Sequence, residues 1–217
     1  MSADFGRPAG ARSPRHWDAI YQDRGPTGVS WYQAEPRMSL DLITGLGIDQ
    51  DTPVLDAGGG ASSLAARLAS RGFTDITIVD ISETALATAR HNLGAGVDAT
   101  TWIAADLLAW RPVRRYGLWH DRAVFHFLTD PGDRAAYLAT LRSALLPGGI
   151  VILATFAADG PAQCSGLPVT RYTGDELAAQ LTAAFNGELD LLDRRTERHR
   201  TPGGGTQPFT WLAARAR

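Results

Sequence analysis

The stretch Pro53–Leu68, PVLDAGGGASSLAARL, decides the fold. An apolar pair, Val54 and Leu55, runs into Asp56; Gly58, Gly59 and Gly60 follow, and Ser62–Leu68 then carries helix-forming residues at helical spacing. A strand that turns sharply into a helix has this order, because glycine serves where φ is positive or where a ligand meets the backbone. Such a turn also arises for packing alone. The next apolar run, Ile76–Asp80, again ends on an acid, 24 positions beyond Asp56. That approximates the spacing at which a carboxylate closing a second strand meets ribose hydroxyls. A lone Asp at a strand end is commonly a helix N-cap or a loop carboxylate. Two of them flanking three glycines favour a nucleotide-like ligand.

The dinucleotide fingerprint wants Gly or Ala where Ser63 stands, and Asp56 would repel a pyrophosphate. A nicotinamide-dependent oxidoreductase is therefore disfavoured. A cofactor with a cationic centre suits the acids better, and S-adenosyl-L-methionine offers ribose hydroxyls, a sulfonium and an ammonium group without phosphate. The run also resembles motif I of the class I S-adenosylmethionine-dependent methyltransferases, Asp-x-Gly-x-Gly followed by a small residue, with Asp56, Gly58 and Gly60 in those places. From there the resemblance extends over nearly the whole chain.

It implies an α/β, Rossmann-like, seven-stranded, mostly parallel sheet with helices on both faces. The implied strand order is 3-2-1-4-5-7-6, with strand 7 antiparallel. The implied activity is methyl transfer from S-adenosylmethionine to an N, O or S nucleophile of a small molecule or a protein side chain. A catalytically silent S-adenosylmethionine-binding module is the alternative from another class.

Bulk properties narrow the setting. A chain of 217 residues with 44% hydrophobic and 20% charged residues suits one soluble domain with a sizeable core. The net charge of −2 argues against nucleic-acid binding through bulk electrostatics. The basic residues are all Arg, which carries no mechanistic content. One cysteine, Cys164, rules out an internal disulfide and a cysteine-based zinc cluster, and no metal site is expected. With no membrane-length apolar stretch and no signal-peptide core, the expected location is the cytoplasm.

In chain order, residues 1–14 are rich in Gly, Ala, Arg and Pro and are expected to be disordered, with a single domain over 15–217. Trp17, Ile20 and Tyr21 share one face of a short helix, and Trp31 and Tyr32 follow across a Gly/Pro loop. Packing alone would explain them. This Trp–Asp–x–x–Tyr helix with its following Trp–aromatic pair also resembles the entry segment of a methyltransferase subgroup that includes protein lysine methyltransferases. By that resemblance Trp17, Tyr21 and Trp31 close over the methionine end of the cofactor, and aromatic faces suit a sulfonium. Helices are expected at Pro36–Leu46, at Ser62–Arg71 and, capped by Ser82, at Glu83–Leu93.

Ile81, directly after the ribose acid, is by resemblance an adenine contact. Strand three, Thr100–Ala104, ends at Asp106-Leu107, which resembles the family's adenine-reading corner; a surface turn is the other reading.

Strand four, Tyr116–Asp121, leads into HDRAVFHFL over 120–128. Ligands of open α/β sheets lie outside the carboxyl ends of the strands, so chemistry belongs here. The Asn/Asp-Pro-Pro-aromatic sequence typical of base methyltransferases is absent, which disfavours a nucleic-acid acceptor. Asp121 can steer a cationic amine or hold Arg122. His126 can act as a general base, or sit as a core histidine on a short helical turn. Pro131–Leu145 reads as an amphipathic helix, Leu146–Gly149 as a turn, and Ile150–Phe156 as strand five. The loop from Ala157 to Tyr172 is a candidate substrate-side lid with Cys164 near the site. Thr173–Phe185 reads as a helix, then Glu188–Arg195 and Gln207–Arg215 as a closing hairpin.

Overall fold

A computed structural model describes residues 10–93 and 100–217. Seven strands form one sheet in the order β3-β2-β1-β4-β5-β9-β8. They are β1 (Val54–Ala57), β2 (Ile76–Asp80), β3 (Thr100–Ala104), β4 (Tyr116–Arg122), β5 (Leu145–Phe156), β8 (Leu189–Arg200) and β9 (Thr206–Ala216). Strands β3, β2, β1, β4 and β5 pair in parallel, whereas β9 runs antiparallel to both β5 and β8. The order and the single reversed strand are those implied by the resemblance. A small separate hairpin pairs β6 (Gln163–Cys164) with β7 (Leu167–Pro168).

Strand alternation sorts the core into two layers. Val54, Leu118, Ile150 and Ile152 face Leu40, Leu42 and Ile43 of α2 (Arg37–Gly45) and Leu64 and Leu68 of α3 (Leu64–Ser70). Leu86 of α4 (Glu83–Leu93) joins that layer. On the opposite face, Leu55, Trp119, Val151 and Leu153 meet Tyr137 and Leu141 of α5 (Pro131–Ala144) and Leu177 and Leu181 of α6 (Gly174–Ala184). Both faces are buried, which explains the continuous apolar runs of the parallel strands. Helix starts follow local chemistry. Asp130 accepts from the N–H groups of Gly132 and Asp133 with Pro131 in the first turn, and Thr173 and Glu176 form a reciprocal capping box.

Three boundaries differ from the sequence reading. Strand β5 begins at Leu145, because Pro147–Gly149 bulges within it: the register with β4 jumps between Tyr116 and Leu118, and Gly148 has φ 74°. Strand β8 runs on to Arg200, since its charged residues alternate outward along a ladder paired with β9 as far as Arg200↔Thr206. Helix α3 starts at Leu64, after a turn in which the Ser62 hydroxyl accepts the Leu64 N–H at 3.1 Å.

Of the segment 1–14, residues 10–14 are described. Ser13 caps α1 (Pro14–Gly28), and the Ala11 carbonyl accepts from the Trp17 indole at 2.9 Å. Residues 1–9 lie outside the described residues. Among those described, no helix is long and apolar enough to cross a membrane.

Candidate cofactor and acceptor cleft

The glycine turn after β1 is the floor of the site. Gly58 (φ 68°) and Gly60 (φ 46°) take left-handed backbone that disfavours any side chain. Other elements also press on them: a Cβ at Gly58 would lie 2.0 Å from Val124 Cγ2, and one at Gly60 would lie 2.8 Å from Tyr21 Oη and 3.0 Å from Asp80 Oδ2. The turn is bare so that α1, the end of β2 and the chain after β4 can converge on it.

Helix α1 kinks at Gly25, where φ is 66° and Pro26 follows. It is tied to the start of α4 by Asp18, whose Oδ1 accepts from the Ser82 hydroxyl at 2.6 Å and from Thr84 N–H at 3.2 Å. This places Trp17 edge-on to Trp31 and Phe127, with ring centroids 5.9 and 5.0 Å apart. Tyr21 meets Trp31 at 6.0 Å and accepts its indole N–H at 3.4 Å. Burial pushes the Tyr21 phenol up, so it stays neutral.

The acids approach from the other side. Asp80 is buried and accepts the Ser82 N–H at 2.8 Å. Burial, with the charge of Asp56 adding to it, lifts its carboxyl to about 7. Asp106 accepts Leu108 N–H on Oδ1 at 3.0 Å and holds Arg12 on Oδ2 through Nε and Nη2 at 2.9 and 2.8 Å. Asp56 Oδ1 lies 2.7 Å from His120 Nδ1, and His120 Nε2 lies 2.9 Å from Ser39 Oγ. The second oxygen of Asp56 is buried and without a partner.

These groups surround a cleft with about 830 Å³ of open space. Trp17, Tyr21, Trp31, Gly58, Asp80, Ile81, Asp106 and Leu107 line it, so most of the residues singled out in the sequence share one wall system. Asp56 lines an adjoining cavity of about 530 Å³ that shares Tyr21, Trp31, Gly58 and Arg122 with the main cleft. Gly60 stands behind Tyr21 and Asp80. Cys164, on β6, reaches the main cleft, and burial pushes its thiol up to about 11. No group of His, Cys, Asp and Glu that could hold a metal occurs among the described residues.

Two expected site residues face elsewhere. Asp121 does not touch the cleft: its carboxylate accepts the N–H groups of Val124 and Phe125 at 2.8 and 3.1 Å, and the Tyr137 hydroxyl as well. It braces the turn after β4 on the α5 side and does not hold Arg122. His126 is fully buried in the short 3-10 turn Phe125–Phe127, beside the rings of Phe127 and Phe156. Its Nδ1 accepts the Phe156 N–H at 3.2 Å. Burial, reinforced by the Arg122 charge, lowers its pKa to about 3. A histidine so placed is a core acceptor and does not line the cleft.

Arg122 and His120 are the site residues the sequence reading did not single out. The signal was strand alternation: residues 118, 120 and 122 share a face of β4 opposite to that of Asp121. Arg122 donates from Nη1 to the Trp31 carbonyl at 2.9 Å, and its guanidinium lies 4.6 Å from the centre of the Phe209 ring.

Residues 54–149 match the family model described as a methyltransferase domain. Among solved structures, Burkholderia thailandensis 1,6-didemethyltoxoflavin-N1-methyltransferase, with bound 1,6-didemethyltoxoflavin and S-adenosylhomocysteine, is similar at 21% identity and TM-score 0.70. The likeness covers 100% of this chain and 93% of that one. A methyltransferase from Anabaena variabilis, described as dependent on S-adenosylmethionine, aligns at 18% identity and TM-score 0.72, covering 94% and 95% of the two chains. The glycopeptide N-methyltransferase MtfA complexed with S-adenosylmethionine aligns at 18% identity and TM-score 0.65, covering 89% and 99%. No curated protein sequence matches the chain significantly.

Proposed function

We propose that this chain, whose residues 54–149 match a methyltransferase-domain model and whose sheet has the strand order of the class I fold, is an S-adenosylmethionine-dependent methyltransferase that methylates an N, O or S nucleophile of a small molecule. One observation carries the reading. Two strand-end acids, Asp80 and Asp106, face an aromatic wall of Trp17, Tyr21 and Trp31 across a cleft floored by the glycine turn.

The residues fit the cofactor. Asp80 is a buried carboxylate with acceptor capacity left for ribose hydroxyls, and Asp56 keeps an orphaned buried oxygen suited to an ammonium group. Ile81 and Leu107 supply apolar faces for adenine, and Asp106 an acceptor for its amine. The rings of Trp17, Tyr21 and Trp31 are cation–π partners for a sulfonium. When bound, S-adenosylmethionine supplies an electrophilic methyl group.

The chain's own contribution is alignment and the exclusion of water, which can be worth roughly 7–11 kcal/mol where reactants are held in line. No free histidine base faces the acceptor: His126 is sealed in the core, and both ring nitrogens of His120 are engaged, by Asp56 and by Ser39. The acceptor therefore arrives ionised, or loses its proton to water.

A small acceptor is favoured because the cleft is mostly apolar with a few convergent polar groups, as small-molecule sites are. The fold neighbour named for 1,6-didemethyltoxoflavin, a small molecule, points the same way. A protein lysine acceptor is the reading that the Trp–Asp–x–x–Tyr segment suggests, and nucleic acid is not expected. The one thiol among the described residues, buried and free, supports a reducing, cytoplasmic setting. A labelled-methyl assay on cell extract, separated into small-molecule, protein and nucleic-acid fractions, tests the proposal. Label in the small-molecule fraction is the expected result; label confined to protein would move the acceptor to a side chain. No label anywhere, with S-adenosylhomocysteine still bound, would indicate the silent module.

A further inference from the structure

Arg122 is a cation with unused donors at the junction of the two cavities. Its Nε and one Nη are buried without a hydrogen-bond partner, and no carboxylate pairs with it among the described residues. The neighbouring carboxylate, Glu197, offsets part of the charge through space but makes no hydrogen bond to the guanidinium: its oxygens accept from Gln33 Nε2 at 2.8 Å and from the Trp211 indole at 2.9 Å. Arg12, the other cation of the cleft, is paired with Asp106. Cys164 nearby is a neutral thiol and cannot neutralise the charge. A guanidinium held away from water with unfilled N–H groups is costly unless an anion completes it.

The position says which anion. The acids proposed for the cofactor sit near the end of β1, at the end of β2 and just after β3. Arg122 ends β4; it shares the adjoining cavity with Asp56, but on the main-cleft side the wall beside it is Val124, Phe127, Leu128 and Cys164, which carries no acid. We infer that Arg122 docks an anionic group of the methyl acceptor, so that this cleft takes a small, mostly apolar acceptor bearing one carboxylate, thiolate or ionised hydroxyl. The inference rests on the proposed function and sharpens its substrate class. The same charge that excludes a protonated amine draws in an acid, and it does so without a base.

The test uses the full chain. Wild-type protein is first titrated with S-adenosylhomocysteine; absence of binding would remove the methyltransferase reading and this inference with it. The loaded protein is then titrated with benzoate and with its neutral isostere benzamide. The expected result is saturable benzoate binding at least tenfold tighter than benzamide. Arg122→Met should abolish that preference and Arg122→Lys should restore part of it, with S-adenosylhomocysteine affinity within about twofold of wild type. Equal binding of the two probes by wild type would overturn the inference, whatever the variants do. So would a loss of S-adenosylhomocysteine affinity in Arg122→Lys as large as its loss for benzoate, which would give Arg122 to the cofactor's carboxylate. Should Arg122→Met not fold, the wild-type pair and Arg122→Lys decide.

Discussion

Asp80 is the residue whose chemistry is most exposed to test. Its carboxyl is lifted to about 7 chiefly because it is buried, so near neutral pH the empty cleft holds it about half protonated. Ribose hydroxyls donate to the ionised form, hence cofactor binding expels a proton. S-adenosylhomocysteine affinity is expected to weaken as pH falls below 7, by up to tenfold per unit. Calorimetry in two buffers of different ionisation enthalpy reads the proton directly. Asp80→Asn should remove the pH dependence and lose about 1.5–3 kcal/mol of affinity. Unchanged affinity in a folded variant would take Asp80 out of the site. The stability effect has the opposite sense. The folded pKa lies above the unfolded value, so this group's contribution is fully present below about 4 and is lost as pH rises through 7.

Among the elements, α1 and the turn after β4 make contrasting predictions. Helix α1 buries none of its residues fully and is held to α4 through Asp18. Hydrogen exchange over residues 14–32 should slow on adding S-adenosylhomocysteine as Trp17, Tyr21 and Trp31 close on it. Identical protection with and without ligand would make α1 a packing element and nothing more. Phe125 and His126 of the turn after β4 belong to the core, while Phe127 faces the cleft. His126→Leu leaves the Phe156 N–H unpaired and is expected to cost about 1–3 kcal/mol of stability while leaving S-adenosylhomocysteine affinity unchanged. Chemical denaturation alongside a binding titration separates these outcomes, and a lost affinity at full stability would return His126 to the site.

For the whole molecule, the cleft joins elements from both ends of the chain: Arg12 reaches Asp106, and Gln33 reaches Glu197 on β8. A ligand that bridges them should act on global unfolding. At a hundredfold excess over Kd the stabilisation is about 2.7 kcal/mol. For a chain of this size that corresponds to a rise of about 5–10 °C in Tm, read by calorimetry with and without S-adenosylhomocysteine. No shift at saturating ligand would deny that the cofactor binds the folded cleft.

The sequence by itself determined the strands of the parallel half and most of the cleft wall, with the strand order supplied by the family resemblance. Apolar runs that end on Asp56 and Asp80 are local signals, and so are the glycines between them, because strand period, turn chemistry and strand-end position act within a few residues. The aromatic entry helix was equally legible, as a face of Trp17 and Tyr21. Tertiary structure decided what each polar side chain after β4 does. Asp121 and Arg122 are neighbours in sequence, yet the pleat sends one to Tyr137 beneath α5 and the other into the cleft. His126 is a plausible base until Phe156 closes over it and burial takes its charge away. Strand period alone separates the two sides of β4, but only the packed faces say which side is the cleft and which is the core. A side chain's ionisation and its partners depend on groups brought together from distant parts of the chain.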